Sequence, residues 1–340
     1  ATPPRIRLLP DNPTKLPLAV DLTRPCVLDQ IYSDYNTPKI LDVLSRLHND
    51  PTQAQHVHDL LRDGVVGGWQ PLVTNTQPLE QELRRLATQA GKDEHKLLNA
   101  GQWRALHGVF QEPLTLVWGP PGTGKTHTLA HILLAYALAA QQSEQQIRLL
   151  VTAFTHHAIA NVMKKVAELA NEYGLDDNAL LLRQIEGSGS SAYDDLPERV
   201  VLADKKDLGT LLDVENRCVV VGSTVWGLYS GMKEAGGAVR QWFDVILVDE
   251  ASQMKLPDAL IALSASKLNA NIILAGDDQQ LPPIIHGAYP EEHKNLLTSV
   301  FAFVRHQVEE QQAANPQIEE RRLFQLEDNF RMNEPLTAYP

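Results

Sequence analysis

Gly119-Pro120-Pro121-Gly122-Thr123-Gly124-Lys125-Thr126 is the stretch on which the reading of this sequence turns. It fits G-x-x-x-x-G-K-[ST], a spacing in which glycines let backbone N–H groups turn inward around phosphate oxygens. An apolar run of strand character, residues 114–118, comes directly before it. A long helical segment, residues 126–140, comes directly after, and a helix N-terminus adds partial positive charge at that point. In such a loop Lys125 reaches the β- and γ-phosphates, and the Thr126 hydroxyl holds Mg²⁺. A chance glycine-rich turn would lack the strand before and the helix after. The expectation is a nucleotide-binding loop, with residues 119–127 as the binding run: Gly119, Pro120, Pro121, Gly122, Thr123, Gly124, Lys125, Thr126 and His127.

Working outward, more short runs of β-branched and aliphatic residues follow at 148–154, 218–221, 245–248 and 271–275. A helical segment from Ala158 to about Tyr173, closed by Gly174, lies among them. Continuous apolar strands separated by helices predict an α/β fold with a parallel sheet covered on both faces. Ligands of such sheets bind at the carboxyl ends of the strands. One strand, residues 243–250, ends in Asp249 and Glu250. There Asp249 would hold Mg²⁺ and Glu250 would orient and deprotonate the attacking water. Two adjacent acids predict ATP hydrolysis rather than simple phosphate binding. A GTP switch is disfavoured, because no Asn-Lys-x-Asp segment is present; Asp204-Lys205-Lys206-Asp207 reads as a solvated face.

Before residue 110 the pattern differs. Residues 1–36 are rich in proline and read as short strands or extended connections. Thr37-Pro38 and Asp50-Pro51 each look like an N-cap and first helical position, giving a helical hairpin that stops at Gly64. A third helix is expected from about Pro78 to Ala90, and the stretch near Gln141–Gln146 reads as a loop.

The 340 residues carry Lys+Arg 30 against Asp+Glu 42, a net charge of −12, so bulk electrostatics do not draw the chain to nucleic acid or an anionic membrane. A local basic groove stays open. Residues 1–100 hold 11 basic and 12 acidic side chains, so the acidity sits in the remainder. Cys26 and Cys218 are too few for a Cys₄ zinc site or a disulfide scaffold, and an intracellular, reducing setting is expected. The longest apolar-looking stretch, residues 128–140, is well short of the ~20 residues needed to span a bilayer.

Several motifs together resemble the superfamily 1B helicases, the branch that includes senataxin and the nonsense-mediated-decay RNA helicase. Leu98-Asn99-Ala100-Gly101-Gln102 is similar to the motif whose glutamine, here Gln102, reads adenine. Ala153-Phe154-Thr155-His156-His157-Ala158-Ile159-Ala160-Asn161 is similar to a motif that grips the nucleic-acid backbone. Asp249-Glu250-Ala251-Ser252-Gln253 matches the family's Mg²⁺ and base motif. Gly276-Asp277-Asp278-Gln279-Gln280-Leu281-Pro282-Pro283 resembles the coupling motif, in which Gln280 senses the γ-phosphate. Leu326-Glu327-Asp328-Asn329-Phe330-Arg331-Met332 resembles the opening of a second RecA-like domain, whose arginine, Arg331, contacts the same phosphate.

The resemblance implies a RecA-like P-loop NTPase core over residues 97–325, an N-terminal accessory or stalk region over 1–96, and the start of a second RecA-like domain over 326–340. It implies ATP and Mg²⁺ as cofactors, single-stranded DNA or RNA as partner, no membrane, a monomer, and 5′→3′ movement. Thr155, His156, Asn161, Ser223, Thr224 and Pro282 are the implied nucleic-acid contacts. Ser223 and Thr224 fit an ordinary strand-to-turn hydrogen bond equally well. Trp118 fits core packing better than base stacking, and Trp226 fits either. Ala160 departs from the aspartate often found in relatives. Because the chain stops nine residues after Arg331, it is expected to be the first part of a longer helicase, completed by a second RecA-like domain. The rival reading is an ATP-dependent assembly switch that recruits partners without moving along nucleic acid.

Overall fold

A computed structural model describes residues 36–64, 66–187, 191–236, 241–277, 279–283, 296–314, 321–328 and 330. Among these, the strands form one eight-stranded sheet in the order β4-β3-β5-β2-β6-β7-β1-β8, with every pairing parallel. The strands are β1 Leu114–Trp118, β2 Ile147–Ala153, β3 Leu180–Ile185, β4 Val200–Ala203, β5 Cys218–Gly222, β6 Phe243–Asp249, β7 Ser266–Gly276 and β8 Leu323–Gln325. The α/β fold with a parallel sheet flanked by helices is therefore the observed one, and it is the architecture of a RecA-like P-loop NTPase.

The central strands form because runs such as Cys-Val-Val-Val (218–221) and Val-Ile-Leu-Val (245–248) can be buried on both faces at once. All five residues of β5 and all seven of β2 are buried. One face is covered by α3 (Gln77–Gln89), α4 (Ala100–Gly108), α5 (Lys125–Ser143) and α6 (His156–Glu172). The other is covered by α1 (Thr37–Asn49), α2 (Pro51–Asp63), the short α7 (Leu208–Leu212), α8 (Val225–Glu234), α9 (Leu256–Leu263) and α10 (Val300–Ala314). Helix α5 is buried all round from Thr128 to Ala140, as expected of a helix wedged between a sheet and further helices. Its Tyr136 packs against Phe110 at 4.3 Å between ring centroids and donates its hydroxyl to the Val109 carbonyl at 3.1 Å.

The helical hairpin follows its punctuation. Asp50 caps α2 by accepting from Gln53 N–H at 3.1 Å, Pro51 opens the helix, and Gly64 closes it in the left-handed region at φ 58°. The hairpin is fastened to the sheet by buried polar groups as well as leucines. Gln53 donates to the Ser266 carbonyl at 2.9 Å, and His56 lies 3.1 Å from Ser266 Oγ.

Three findings differ from the sequence expectations. The Gln-rich stretch expected as a loop begins inside a helix: α5 runs through Gln141 and Gln142 to Ser143 and stops at Glu144, in the left-handed region at φ 55°. Strands β3, β4 and β8 were not anticipated. β3 mixes Arg183 and Gln184 into its pattern, and β8 has three residues, so neither shows a run long enough to read. A 3₁₀ turn at Ser191–Tyr193, with Tyr193 buried, was not anticipated either. The prolines at 3–25 lie outside the described residues. No described helix is long and apolar enough to cross a membrane.

Candidate active site

β1 ends at Trp118 and the chain turns at once. Gly119 N–H donates to the Gly276 carbonyl at 3.1 Å, tying the loop's first residue to the end of β7. A Cβ on Gly119 would sit 2.5 Å from Thr123 Oγ1, so this position must be bare. Thr123 is buried and donates its hydroxyl to the Pro120 carbonyl at 2.9 Å, which closes the loop on itself. Gly122 and Gly124 hold φ of 91° and 77°, conformations that side-chain-bearing residues rarely adopt. Gly124 is the N-cap of α5 and supplies no side-chain cap, so the helix opens with its amides facing a cavity.

That cavity, of about 480 Å³, is lined by Pro120, Pro121, Gly122, Gly124, Lys125, Thr126, His127, Glu250, Gln280 and Phe330. Seven of the nine residues of the expected binding run, all but Gly119 and Thr123, thus share one space with the expected water-activating acid and the expected phosphate sensor. Lys125 Nζ stands 3.8 Å from Glu250 Oε1 across it. Asp249, next along from Glu250, is 4% exposed, and burial pushes its carboxyl up to about 6 while Lys125 pulls it the other way. Its Oδ1 accepts from Glu250 N–H at 2.9 Å.

Glu250 adopts φ 51°, the left-handed region, at a cost of roughly 1–2 kcal/mol for a residue with a Cβ. From that turn Glu250 lines the cavity. Gln253 Nε2 donates to Glu250 Oε2 at 3.2 Å and steadies the carboxylate from the far side. Gln280 is held in turn by Asp277, which accepts from Gln280 Nε2 at 3.1 Å.

A second cavity, of about 590 Å³, adjoins the first and shares Gly124, His127 and Phe330 with it. Its other lining includes Leu97, Leu98, Asn99, Gln102 and Asp328. Gln102 lines it but is 2% exposed, and its carboxamide is engaged at both ends. Oε1 accepts from Asn99 N–H at 3.0 Å in a reciprocal capping box that starts α4, and Nε2 donates to the Thr123 carbonyl at 3.3 Å. Asn99 Nδ2 reaches Asp328 Oδ2 at 2.8 Å. Phe330 is 67% exposed at the boundary of the two cavities, and its N–H donates to the Gly122 carbonyl at 2.8 Å.

His127 donates Nε2–H to the Leu97 carbonyl at 3.1 Å, because a carbonyl can only accept. His131, one turn on, donates Nδ1–H to the His127 carbonyl at 2.9 Å and accepts from Tyr173 OH at 3.0 Å. Burial lowers the His131 pKa to about 3, so this ring is neutral.

The six expected nucleic-acid contacts are spread over the other strand ends. Thr155 caps α6, its Oγ1 accepting from Ala158 N–H at 3.2 Å. His156 is half-buried against Tyr193, its Nδ1 in contact with the tyrosine hydroxyl, and a Cβ on Gly187 would meet its ring. Asn161 is exposed on α6. Ser223 is fully buried and donates to the Thr224 carbonyl at 3.0 Å, while Thr224 caps α8 by accepting from Gly227 N–H at 3.2 Å. Pro282 is exposed and borders a small cavity of about 160 Å³ with Ser252 and Gln280. Trp226 carries Lys39 Nζ 5.2 Å above its ring. Arg331 lies outside the described residues.

Sequence reasoning passed over Phe330, Asn99 and Asp328 as individual residues lining the base-sized cavity. Each stood inside a quoted motif, but only the fold brings residues 99 and 328 into contact.

The AAA domain family profile matches residues 102–286, more than half of the chain and the whole span from Gln102 to the end of the coupling motif. This chain belongs to the AAA domain family. The AAA domain here is similar to the DNA replication ATP-dependent helicase/nuclease DNA2 of Gallus gallus, 29% identical over 337 residues, 97% of this chain and 29% of the relative. The DNA2 of Bos taurus is 28% identical over 255 residues, 74% of this chain and 21% of the relative. That of Homo sapiens is 31% identical over 194 residues, 56% and 16% respectively. The chain thus spans less than a third of the curated relatives it matches. A solved arterivirus nonstructural protein 10 (helicase) with DNA is 17% identical with a TM-score of 0.30, covering 55% of this chain and 34% of that one.

Proposed function

We propose that this chain is the first RecA-like core of a superfamily 1 helicase or translocase of the 1B type, hydrolysing ATP to move along single-stranded nucleic acid. One observation carries the reading: the bare N-terminus of α5, Lys125 and Glu250 line the same cavity, with the lysine 3.8 Å from the carboxylate. In this reading Lys125 and the α5 amides take the phosphates, and Glu250 orients and deprotonates the attacking water. Gln280, and Arg331 from the following segment, act at the γ-phosphate. Gln102 shapes the adenine pocket through the phosphate loop it braces. Phe330, exposed at the cavity boundary, offers the base a ring face.

The residues present fit Mg²⁺. Thr126 and Asp249 are hard oxygen donors, and Asp249 is a buried carboxylate that a cation would relieve. Mg²⁺ in such sites takes one or two protein oxygens, waters and substrate phosphates, so a cage of three acids is not required. When bound it neutralises charge on the phosphates.

Similarity to helicase/nucleases named for DNA replication favours DNA as the strand, and Thr155, His156, Asn161, Thr224 and Pro282 mark its path across the sheet's carboxyl edge. Ser223 supports that path from below. Residues 1–96 serve as the accessory region, 97–325 as the core, and 326–340 lead into a second RecA-like domain that completes the monomeric, intracellular enzyme. The test is ATP hydrolysis by the intact protein with and without single-stranded DNA or RNA. Stimulation by the strand, and its loss by at least about a hundredfold in Lys125→Ala, is expected. Hydrolysis indifferent to nucleic acid but raised by a protein partner would select the assembly switch instead.

A further inference from the structure

Trp118 is the last residue of β1 and the last before the phosphate loop. Its ring is half-buried, and its polar edge is engaged: the indole N–H donates to Asp277 Oδ1 at 3.2 Å. Asp277 is 3% exposed. Among the described residues the donors to its carboxylate are neutral. Trp118 Nε1 and the Gln279 backbone N–H (3.1 Å) meet Oδ1, and Gln280 Nε2 meets Oδ2 at 3.1 Å. A carboxylate this deep is costly unless its lone pairs are filled, and a missing donor costs more than a present one gains.

With donors on both oxygens, the Asp277 side chain cannot rotate without breaking a bond. Fixing Asp277 fixes Gln280, whose second Nε2–H and Oε1 remain for the phosphate and water of the cavity that it lines. On the ring face, the Arg305 guanidinium of α10 lies 5.1 Å from the Trp118 centroid, and Arg305 Nε bonds Glu309 at 2.8 Å. The plane of the indole is thereby set from a third element.

Resting on the reading of Gln280 as the group that acts at the γ-phosphate, we propose that Trp118 is a positioning residue for that reaction. Its indole N–H holds Asp277, and through Asp277 it holds the Gln280 carboxamide. Any apolar residue could end β1 and pack beneath the loop. Trp118 adds, at the edge of its ring, a donor that reaches the residue after β7 while the ring face carries an arginine.

Trp118→Phe in the intact protein tests this, because phenylalanine keeps a ring for Arg305 and removes the N–H. With single-stranded DNA present, kcat is expected to fall roughly tenfold, the order of a sub-ångström misplacement. KM for ATP should stay within about twofold, because binding is not what is lost. The double variant Trp118→Phe/Gln280→Ala should be no slower than Gln280→Ala alone, since tryptophan acts through glutamine. An unchanged kcat in Trp118→Phe, or losses that simply add in the double variant, would overturn the proposal. The ATPase reading would survive either result as long as Lys125→Ala is inactive. A Gln280→Ala variant as fast as wild type would remove the assigned role of Gln280 and this proposal with it. If Trp118→Phe folds poorly, Asp277→Asn approaches the link from the acceptor side. It should show the same kcat loss at unchanged KM, and wild-type kcat there would overturn the proposal.

Discussion

Helices α5, α6 and α8 all begin where a parallel strand ends, on the same edge of the same sheet, yet their first turns are finished differently. Thr155 and Thr224 fold their hydroxyls back onto the amides of Ala158 and Gly227, so α6 and α8 are capped from within. Helix α5 starts at Gly124, which has no side chain to offer. An uncapped helix end beside a cavity is stable only with an outside acceptor, water or anion, in place of a cap. Under the proposed function the contrast assigns the chemistry to the end left open, opposite Glu250, and not to the ends that are self-sufficient.

Glu250→Gln probes the open end most severely. The amide keeps the shape and the Gln253 contact but cannot take a proton. ATP binding is expected to persist while turnover in the intact protein falls at least about a hundredfold, read by nucleotide affinity beside single-turnover hydrolysis. Equal turnover would detach the acid from the site and dissolve the contrast.

The body of α5 gives the next largest effect. The His131 side chain ionises near pH 6.5 when unfolded but only near about 3 when folded, because burial disfavours the charged ring. Below pH 6.5 the unfolded chain therefore binds the extra proton, and stability falls as pH falls through the window from 6.5 to about 3. From about pH 7 to pH 5 this amounts to about 2 kcal/mol. Urea unfolding at both pH values should show wild type losing that much more than His131→Gln. Parallel losses would mean that the ring takes up a proton inside the fold.

The capped ends give the smallest effect. Thr155→Ala and Thr224→Ala should each cost about 1 kcal/mol of stability, with serine restoring most of it. Nucleotide affinity should not move. If either alanine variant weakened ATP binding as strongly as it weakened the fold, the two kinds of helix end would not be functionally distinct.

Much of the nucleotide half was legible in the sequence, for identifiable reasons. A glycine pattern between a strand and a helix has few other uses, and β1 coincides with the expected run at residues 114–118. The paired acids could be placed because β6 is apolar without a break from Val245 to Val248, directly before them. What could not be read depends on pairing across distance. β8 is three residues long and exists because β1 offers it an edge. The Asn99–Asp328 contact joins residues 229 positions apart, and nothing local announces it. Gln102 shows the limit from the other direction: the motif marks the residue as important, but only the fold reveals that both ends of its carboxamide brace the loop. Thr155 and Thr224 likewise carry the N-cap signature as clearly as any binding motif, so residue type alone could not separate the two roles.

Leu326 and Phe330 are each tied to the phosphate loop through the backbone. Leu326 N–H is pinned to the Trp118 carbonyl and Phe330 N–H to the Gly122 carbonyl, both at 2.8 Å. One bond lies at each end of the glycine turn, so the span from residue 118 to residue 122 is clamped by main-chain atoms that no side-chain substitution short of proline removes.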